Sequence, residues 1–410
     1  MQPRENVKEP SDVLPQPPQQ KAFTLAELEQ LALQNNPSLG VAAANVSAAR
    51  GRQVQSGLAP NPTVGYVATD IGEDNSTGEQ GGFVSQQFII GGKLGLNCAI
   101  GAKEVQEFGA RRRAQELRVL TDVRLRFYEA LAARRRMELT RQVNEIGQQL
   151  AQSTKRLFEG QQVAQSDLLQ AEVEAGESDI LATTASLQNE EAWRRLTAVV
   201  GLPNPDRCEL EGKLDGDIPQ YDWETTYGRL LGESPELGAA QARVQKARLS
   251  IERAHRENIP NIDVMASAAH RNQNDFDVAG VQVGIAIPIR NRNQGNIMAA
   301  DSELIAAEND MHRIELDLQQ RLATVFRRYA NARQQVDRYQ SDLLPRAQKS
   351  LDFIGQGYKA GQTTYLTALT SQRTYIRVNL AYVDALAEVH AAAVLIEGQL
   401  LSDSLQMEQR

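Results

Sequence analysis

Between Val281 and Asn296 the chain reads VQVGIAIPIRNRNQGN. Val281, Val283, Ile285, Ile287 and Ile289 take every second place, with Gln282, Gly284, Ala286 and Pro288 between them. That period predicts a strand with one apolar face, ending at about residue 289. From Ile297 the pattern turns helical and stays so to Gly355. Leu322, Val325, Tyr329, Ala332, Val336, Tyr339 and Leu343 repeat there at spacings of three and four, and Pro345 should kink the helix. A strand handing over to so long a helix suggests a β segment at one end of a helical shaft.

The first half of the chain has the same layout. Thr24 and Glu27 have capping-box spacing, and Leu25, Leu28, Leu31 and Ala32 give the helix behind them an apolar face. Asn35–Asn36–Pro37 stops it, and an alanine-rich helix follows from 38 to 56. Strands at 63–71 and 83–90 with a polar loop between them predict a hairpin within 62–90. The helix predicted for 98–157 carries a seam at Leu139, Val143, Ile146, Leu150, Ser153 and Leu157. At 1.5 Å per residue such a helix reaches roughly 90 Å. A polar turn leads to a return helix, 167–200, and then to an irregular connector, 202–221.

After the connector the pattern repeats. Asp222, Trp223, Leu231 and Pro235 match Thr24, Leu25, Leu33 and Pro37 at an offset of 198, and Gly295 matches Gly95 at 200. The predicted layout is therefore a tandem duplication, 23–201 and 222–401, with a leader, 1–22, and a tail, 402–410. The second copy has its hairpin at 261–289, its long helix at 297–355 and its return helix at 364–401. Four strands cannot close a barrel, and open sheet edges are not tolerated in lipid. The strands must either stay out of the membrane or be pooled among several chains. The 281–289 segment fits a tilted membrane strand or a hairpin half-buried in a soluble core. The shaft favours the membrane, because nothing in the chain is evident to cover the apolar face.

Composition narrows the classes. A net charge of −8 argues against nucleic-acid binding, which needs a basic stripe, and fits either an acidic lumen or an ordinary solvated surface. Aromatics at 5% suit a coiled-coil-rich chain better than a packed enzyme core. Cys98 and Cys208 read as partly buried small residues, and His255, His270, His312 and His390 form no ligand spacing, so no metal or cofactor is expected. No run of eighteen apolar residues predicts a membrane helix. Residues 1–22, with five prolines, read as a disordered leader and not as a cleavable signal peptide. No nucleophile–base pair or phosphate loop marks an enzyme, which leaves a coiled-coil scaffold as the rival to a channel.

The segments NNPSL (35–39) and ESPEL (233–237), IIGGK (89–93), DLLQAEVE (167–174), IPIRNRNQGNI (287–297) and GYKAGQTTYLTAL (357–369) resemble the TolC-like family of outer membrane efflux proteins. IGGK and RNQGN are most similar to its branch serving cobalt–zinc–cadmium resistance pumps. The resemblance implies a mainly α protein with a small β part. It implies a homotrimer whose four strands per chain share a twelve-stranded barrel in outer membrane lipid. Below the barrel it implies a helical α-barrel through the periplasm, with 202–221 in an equatorial belt. It also implies a passive conduit, without catalysis or cofactor, joined to a periplasmic adaptor (membrane fusion) protein and an inner-membrane pump. Heavy-metal cations are the implied cargo, with drugs or secreted proteins as the alternative. Position by position, the resemblance implies a latch between Asp167 and Tyr358, with N-capping as the other reading of Asp167. Pore-lining aspartates of some members fall here on Thr367 and Thr370. It places adaptor docking on the tip turns, at Phe158, Gly160, Val163, Gly361 and Thr363, and lipid contact on Val281, Val283, Ile285, Ile287 and Ile289.

Overall fold

The computed structural model describes residues 22–72, 78–203, 208–216, 218–272, 275–360 and 362–406. The predicted leader up to residue 21 and the last residues of the tail lie outside them. In order, the elements are β1 (Ala22–Thr24), α1 (Leu25–Asn35), α2 (Pro37–Gly57), β2 (Thr63–Thr69), β3 (Glu79–Phe88), α3 (Lys93–Glu159), α4 (Gln165–Val200) and β4 (Glu209–Glu211). The second half gives α5 (Trp223–Glu233), α6 (Pro235–Arg256), β5 (Ile262–Arg271), β6 (Phe276–Ile285), α7 (Gln294–Arg338), a π turn (Tyr339–Leu343), α8 (Leu344–Lys359) and α9 (Tyr365–Glu397). The chain forms two compact units.

One unit comprises the described residues up to Gln34, then Arg126–Gly216 and Asp342–Ala387. The capping box forms as its spacing predicts, with Glu27 N donating to Thr24 Oγ1 at 3.3 Å and Thr24 N to Glu27 Oε2 at 2.9 Å. Thr24 also ends β1, which pairs in parallel with β4, so the connector read as irregular contains a strand. In α3 the seam holds at Leu139 and Val143, but Ile146 is partly exposed and Gly147 is buried in its place. A Cβ on Gly147 would meet Ser178 Oγ of α4 at 2.8 Å. The helices approach closely there, and the buried line continues through half-buried Leu150 to fully buried Thr154. A straight helix of 3.6 residues per turn drifts off a strict heptad in this way.

The other unit comprises Asn35–Leu125, Asp217–Ser341 and the residues from Glu388. Asn36 Oδ1 caps α2 by accepting from Ser38 N at 3.0 Å, and Asp222 Oδ2 caps α5 by accepting from Thr225 N at 3.0 Å. Helix α7 buries Leu322, Val325, Tyr329, Ala332 and Val336, the predicted seam. The seam ends at the π turn, where no residue is buried and Leu343 is exposed. Pro345 has no N–H for the Ser341 carbonyl, and the helix widens one turn before the proline, where a kink was expected.

Several boundaries differ from expectation, among them β2 (Thr63–Thr69) and β3 (Glu79–Phe88), expected at 63–71 and 83–90. Helix α3 starts at Lys93 and α7 at Gln294, both earlier than predicted, as the chain is helical from the first turn after each hairpin. β6 runs from Phe276 to Ile285, not from 280 to 289. Its partner β5 begins only at Ile262, which pairs with Ile285, so Ile287 and Ile289 have no ladder to join. Helix α9 is also long enough, at a mean hydropathy of 1.4, to cross a membrane by length and composition, although no such helix was expected. Half of that window is buried within the protein, including Val383, Leu386 and Val389.

Candidate functional site

The two hairpins form a single antiparallel sheet in the order β2-β3-β5-β6. Its register places Val64 beside Val84, Val84 beside Ala266 and Ala266 beside Val281. Because side chains alternate across a strand, Tyr66, Phe88, Ile262, Val264, Val283 and Ile285 share that face with them. Val64 and Val281 are 76% and 78% exposed, so among the described residues nothing covers the face there. The opposite face carries Thr63, Ser85, Gln87, Asp263, Ser267 and Gln282. There Gln87 Nε2 donates to Asp263 Oδ1 at 3.0 Å and Arg271 Nε to Glu79 Oε1 at 2.6 Å. Among the described residues β2 and β6 each keep one unpaired edge. The predicted face is present at Val281, Val283 and Ile285, while Ile287 and Ile289 are exposed beyond the strand.

Below the sheet Lys93, 2% exposed, donates from Nζ to Asn261 Oδ1 at 2.9 Å and stands 3.7 Å from Glu257 Oε1. Glu257 has its carboxyl held below the usual range, mainly by the Arg253 hydrogen bond against some desolvation, with Lys93 adding attraction. Lys93 thus joins the exit of the first hairpin to the entry of the second. The sequence contained the residue within IIGGK, but nothing in it pointed to a partner 168 positions away.

The helix turns form the second region. Gln162 N donates to Leu157 O at 2.9 Å and Gln161 N to Phe158 O at 2.8 Å, a Schellman end with Gln161 at φ 58°. Gly160 sits one residue before the left-handed position and is exposed, while Phe158 and Val163 are half-buried. In the second turn Gln362 N donates to Gly357 O at 2.8 Å, and Thr363 Oγ1 to Ile354 O at 3.4 Å. Gly361 lies outside the described residues.

Tyr358 does not have Asp167 as its neighbour on the hydroxyl. Its oxygen lies 3.3 Å from Thr154 Oγ1, and the residue packs, as Leu150 and Ala151 do, against the cluster of Ala171, Tyr365 and Leu369. Asp167 is in the first turn of α4 but does not cap it, because the helix starts at Gln165 and the cap residue is Ala164. Its charge acts instead on Tyr365. Burial first, then Tyr358 and Asp167, push that phenol up to about 12. Thr367 and Thr370 are both exposed on α9, Thr370 donating to Leu366 O at 2.8 Å. Thr154, Tyr365 and the Arg373–Glu174 ion pair were not singled out from sequence, because tertiary packing alone brings them together.

One unit thus holds a sheet with an aliphatic face and a mixed face, and the other holds the polar turns between long helices. The family model for "Outer membrane efflux protein" matches residues 28–202 and 226–397, one block for each repeat. The chain belongs to the outer membrane efflux protein family. It is a channel protein of the outer membrane and not an enzyme. It is similar to the cobalt-zinc-cadmium resistance protein CzcC of Cupriavidus metallidurans, with 24% identity over 92% of this chain and 89% of that one. It is also similar to the pyoverdine export outer membrane protein OpmQ of Pseudomonas aeruginosa, with 26% identity over 92% of this chain and 85% of that one. The fold matches the crystal structure of VceC from Vibrio cholerae at a TM-score of 0.76 and 17% identity, covering 92% of this chain and 95% of that one. CusC matches at 0.78 and 16%, covering 92% of each.

Proposed function

We propose that three copies of the chain pool their sheets into a twelve-stranded outer membrane barrel and carry cargo passively from an inner-membrane pump through a periplasmic adaptor. The observation behind this reading is the sheet itself, which among the described residues has one bare aliphatic face and an unpaired edge on each side. An edge left open in lipid costs several kcal/mol per unsatisfied backbone group, so β6 of one chain needs β2 of another. Heavy-metal cations are the proposed cargo. Supporting this are three relatives named for cobalt, zinc, cadmium or nickel resistance, CzcC, NccC and CnrC.

In this reading Phe158, Gly160, Val163, Gly361 and Thr363 present the adaptor-docking tip. Asp167 and Tyr358 form the closed-state latch, with Tyr358 exchanging its Thr154 contact for the carboxylate. A phenol–carboxylate bond of this kind contributes about 1.5–3 kcal/mol, enough to bias a gate. Thr367 and Thr370 give the constriction hydroxyls in place of a carboxylate ring. Purified protein should run as three chains per detergent particle and give discrete conductance steps in planar bilayers. A detergent-independent monomer that conducts nothing would overturn the assembly. A Tyr358→Phe channel whose closed-state conductance equals the parent's would remove the latch.

A further inference from the structure

We propose that the groove between α3, α4 and α9 binds a small organic cation that carries an apolar body and a hydrogen-bond acceptor. The groove encloses about 320 Å³ and lies within one compact unit. Its walls include Val143, Leu150, Leu181, Leu369 and Ile376, enough apolar surface for an aromatic or alkyl group. Tyr365, also in the wall, is 5% exposed, and its buried hydroxyl has no hydrogen-bond partner. A buried donor without an acceptor is costly, and an acceptor on a ligand offsets that cost. At neutral pH the phenol stays protonated and able to donate, since burial raises its pKa to about 12.

Charge settles the sign of the ligand. Glu174 and Glu177 on α4 share the single Arg373 guanidinium of α9, Glu174 in direct contact and Glu177 at 3.8 Å. Two carboxylates against one cation leave a net negative rim beside the apolar wall. A group that presents an ammonium to Glu177 and a carbonyl to Tyr365 satisfies both features. The assignment depends neither on trimer formation nor on what the channel transports.

Tetracaine is a suitable probe, with a butylaniline body, an ester carbonyl and an amine that is charged at neutral pH. Its fluorescence should saturate on protein held in nanodiscs after subtraction of empty discs. Tyr365→Phe should weaken binding about fivefold to tenfold, the effect of one lost hydrogen bond. Glu174→Gln leaves Arg373 without its main partner and should weaken it at least as much at low salt. Glu145→Gln, on the exposed face of α3, should not change it. Parent-like affinity in both groove variants, or a signal that scales only with lipid, overturns the proposal. A 3-fluorotyrosine at position 365 reads the same site without a substitution that could unfold it. Its fluorine line should shift as tetracaine saturates. A line that stays fixed, or that shifts only when a protein partner is added, contradicts a small-cation site.

Discussion

The two repeats share a layout but not a mechanical character. In the first, α3 runs unbroken from Lys93 to Glu159. In the second, α7 stops at Arg338, a π turn spans Tyr339–Leu343, and α8 completes the helix. The connection from strand to helix also differs, covering 89–92 in the first repeat and 286–293 in the second. Lys93 of the first repeat reaches across to Asn261 of the second, whereas Asn293 bonds within its own repeat, donating from Nδ2 to the Ala254 carbonyl at 2.8 Å and accepting from Asn296 Nδ2 at 2.6 Å. Duplication has therefore kept the elements and let their joints diverge. The first copy supplies the uninterrupted helix and the cross-repeat anchor, and the second carries the break.

Substitutions at comparable places should expose this asymmetry, most strongly in the sheet. A Cβ on Gly81 of the first hairpin would collide with the Ala268 carbonyl oxygen, whereas one on Gly284 of the second would meet nothing within 4 Å among the described residues. Gly81→Val should cost at least about 3 kcal/mol and leave little assembled protein, while Gly284→Val should assemble normally. Yield of folded oligomer on semi-native gels separates the two.

The anchor comes next. Lys93→Ala strands the Asn261 carbonyl oxygen and removes a partner of Glu257, so a loss of about 2–3 kcal/mol is expected in thermal unfolding. Asn293→Gly should cost less, because Asn293 already sits at φ 59°, where glycine is at ease. Equal losses would remove the distinction between the joints.

The caps differ in charge. Thr24→Ala should cost about 1 kcal/mol at pH 7, and the part owed to the bond from Glu27 N remains in acid. Asp222 has its carboxyl held below the usual range by the Thr225 backbone N–H, then by the Thr225 hydroxyl. A depressed folded pKa means that stability is present above the unfolded value of 3.8 and is lost as pH falls through the folded one. Asp222→Ala should therefore destabilise at pH 7 and lose its effect toward pH 2, whereas the Thr24 variant should keep the loss of the uncharged bond from Glu27 N.

The smallest effect belongs to the turns. Gln161 holds a left-handed conformation while its counterpart in sequence is Gly361. Gln161→Gly should stabilise by up to about 1 kcal/mol, measured by chemical denaturation of the same preparation. A loss of stability would mean that the side chain itself is needed there.

What the sequence revealed follows the range of each interaction. The Thr24–Glu27 box spans three residues and reads directly from spacing, as do the Leu322–Val336 seam and the apolar face through Ile285. The end of β6 could not be read, because it is set by where β5 begins, and the alternation at Ile287 and Ile289 continues past the last partner. The β1–β4 pair, Lys93–Asn261 and Tyr358–Thr154 each join residues more than 160 positions apart. No local pattern encodes such pairs. The resemblance placed Tyr358 in the tip region, but the hydroxyl's neighbour, Thr154, emerged only once α3 and α8 were packed.

The central claim is that one face of the four-stranded sheet meets lipid and the other meets water. Single cysteines placed along 278–285 in otherwise cysteine-free protein, labelled with a small fluorophore and reconstituted with brominated lipid, test it residue by residue. The account predicts strong quenching at 279, 281, 283 and 285 and weak quenching at 278, 280, 282 and 284. Uniform quenching along β6, or none at any position, would contradict it.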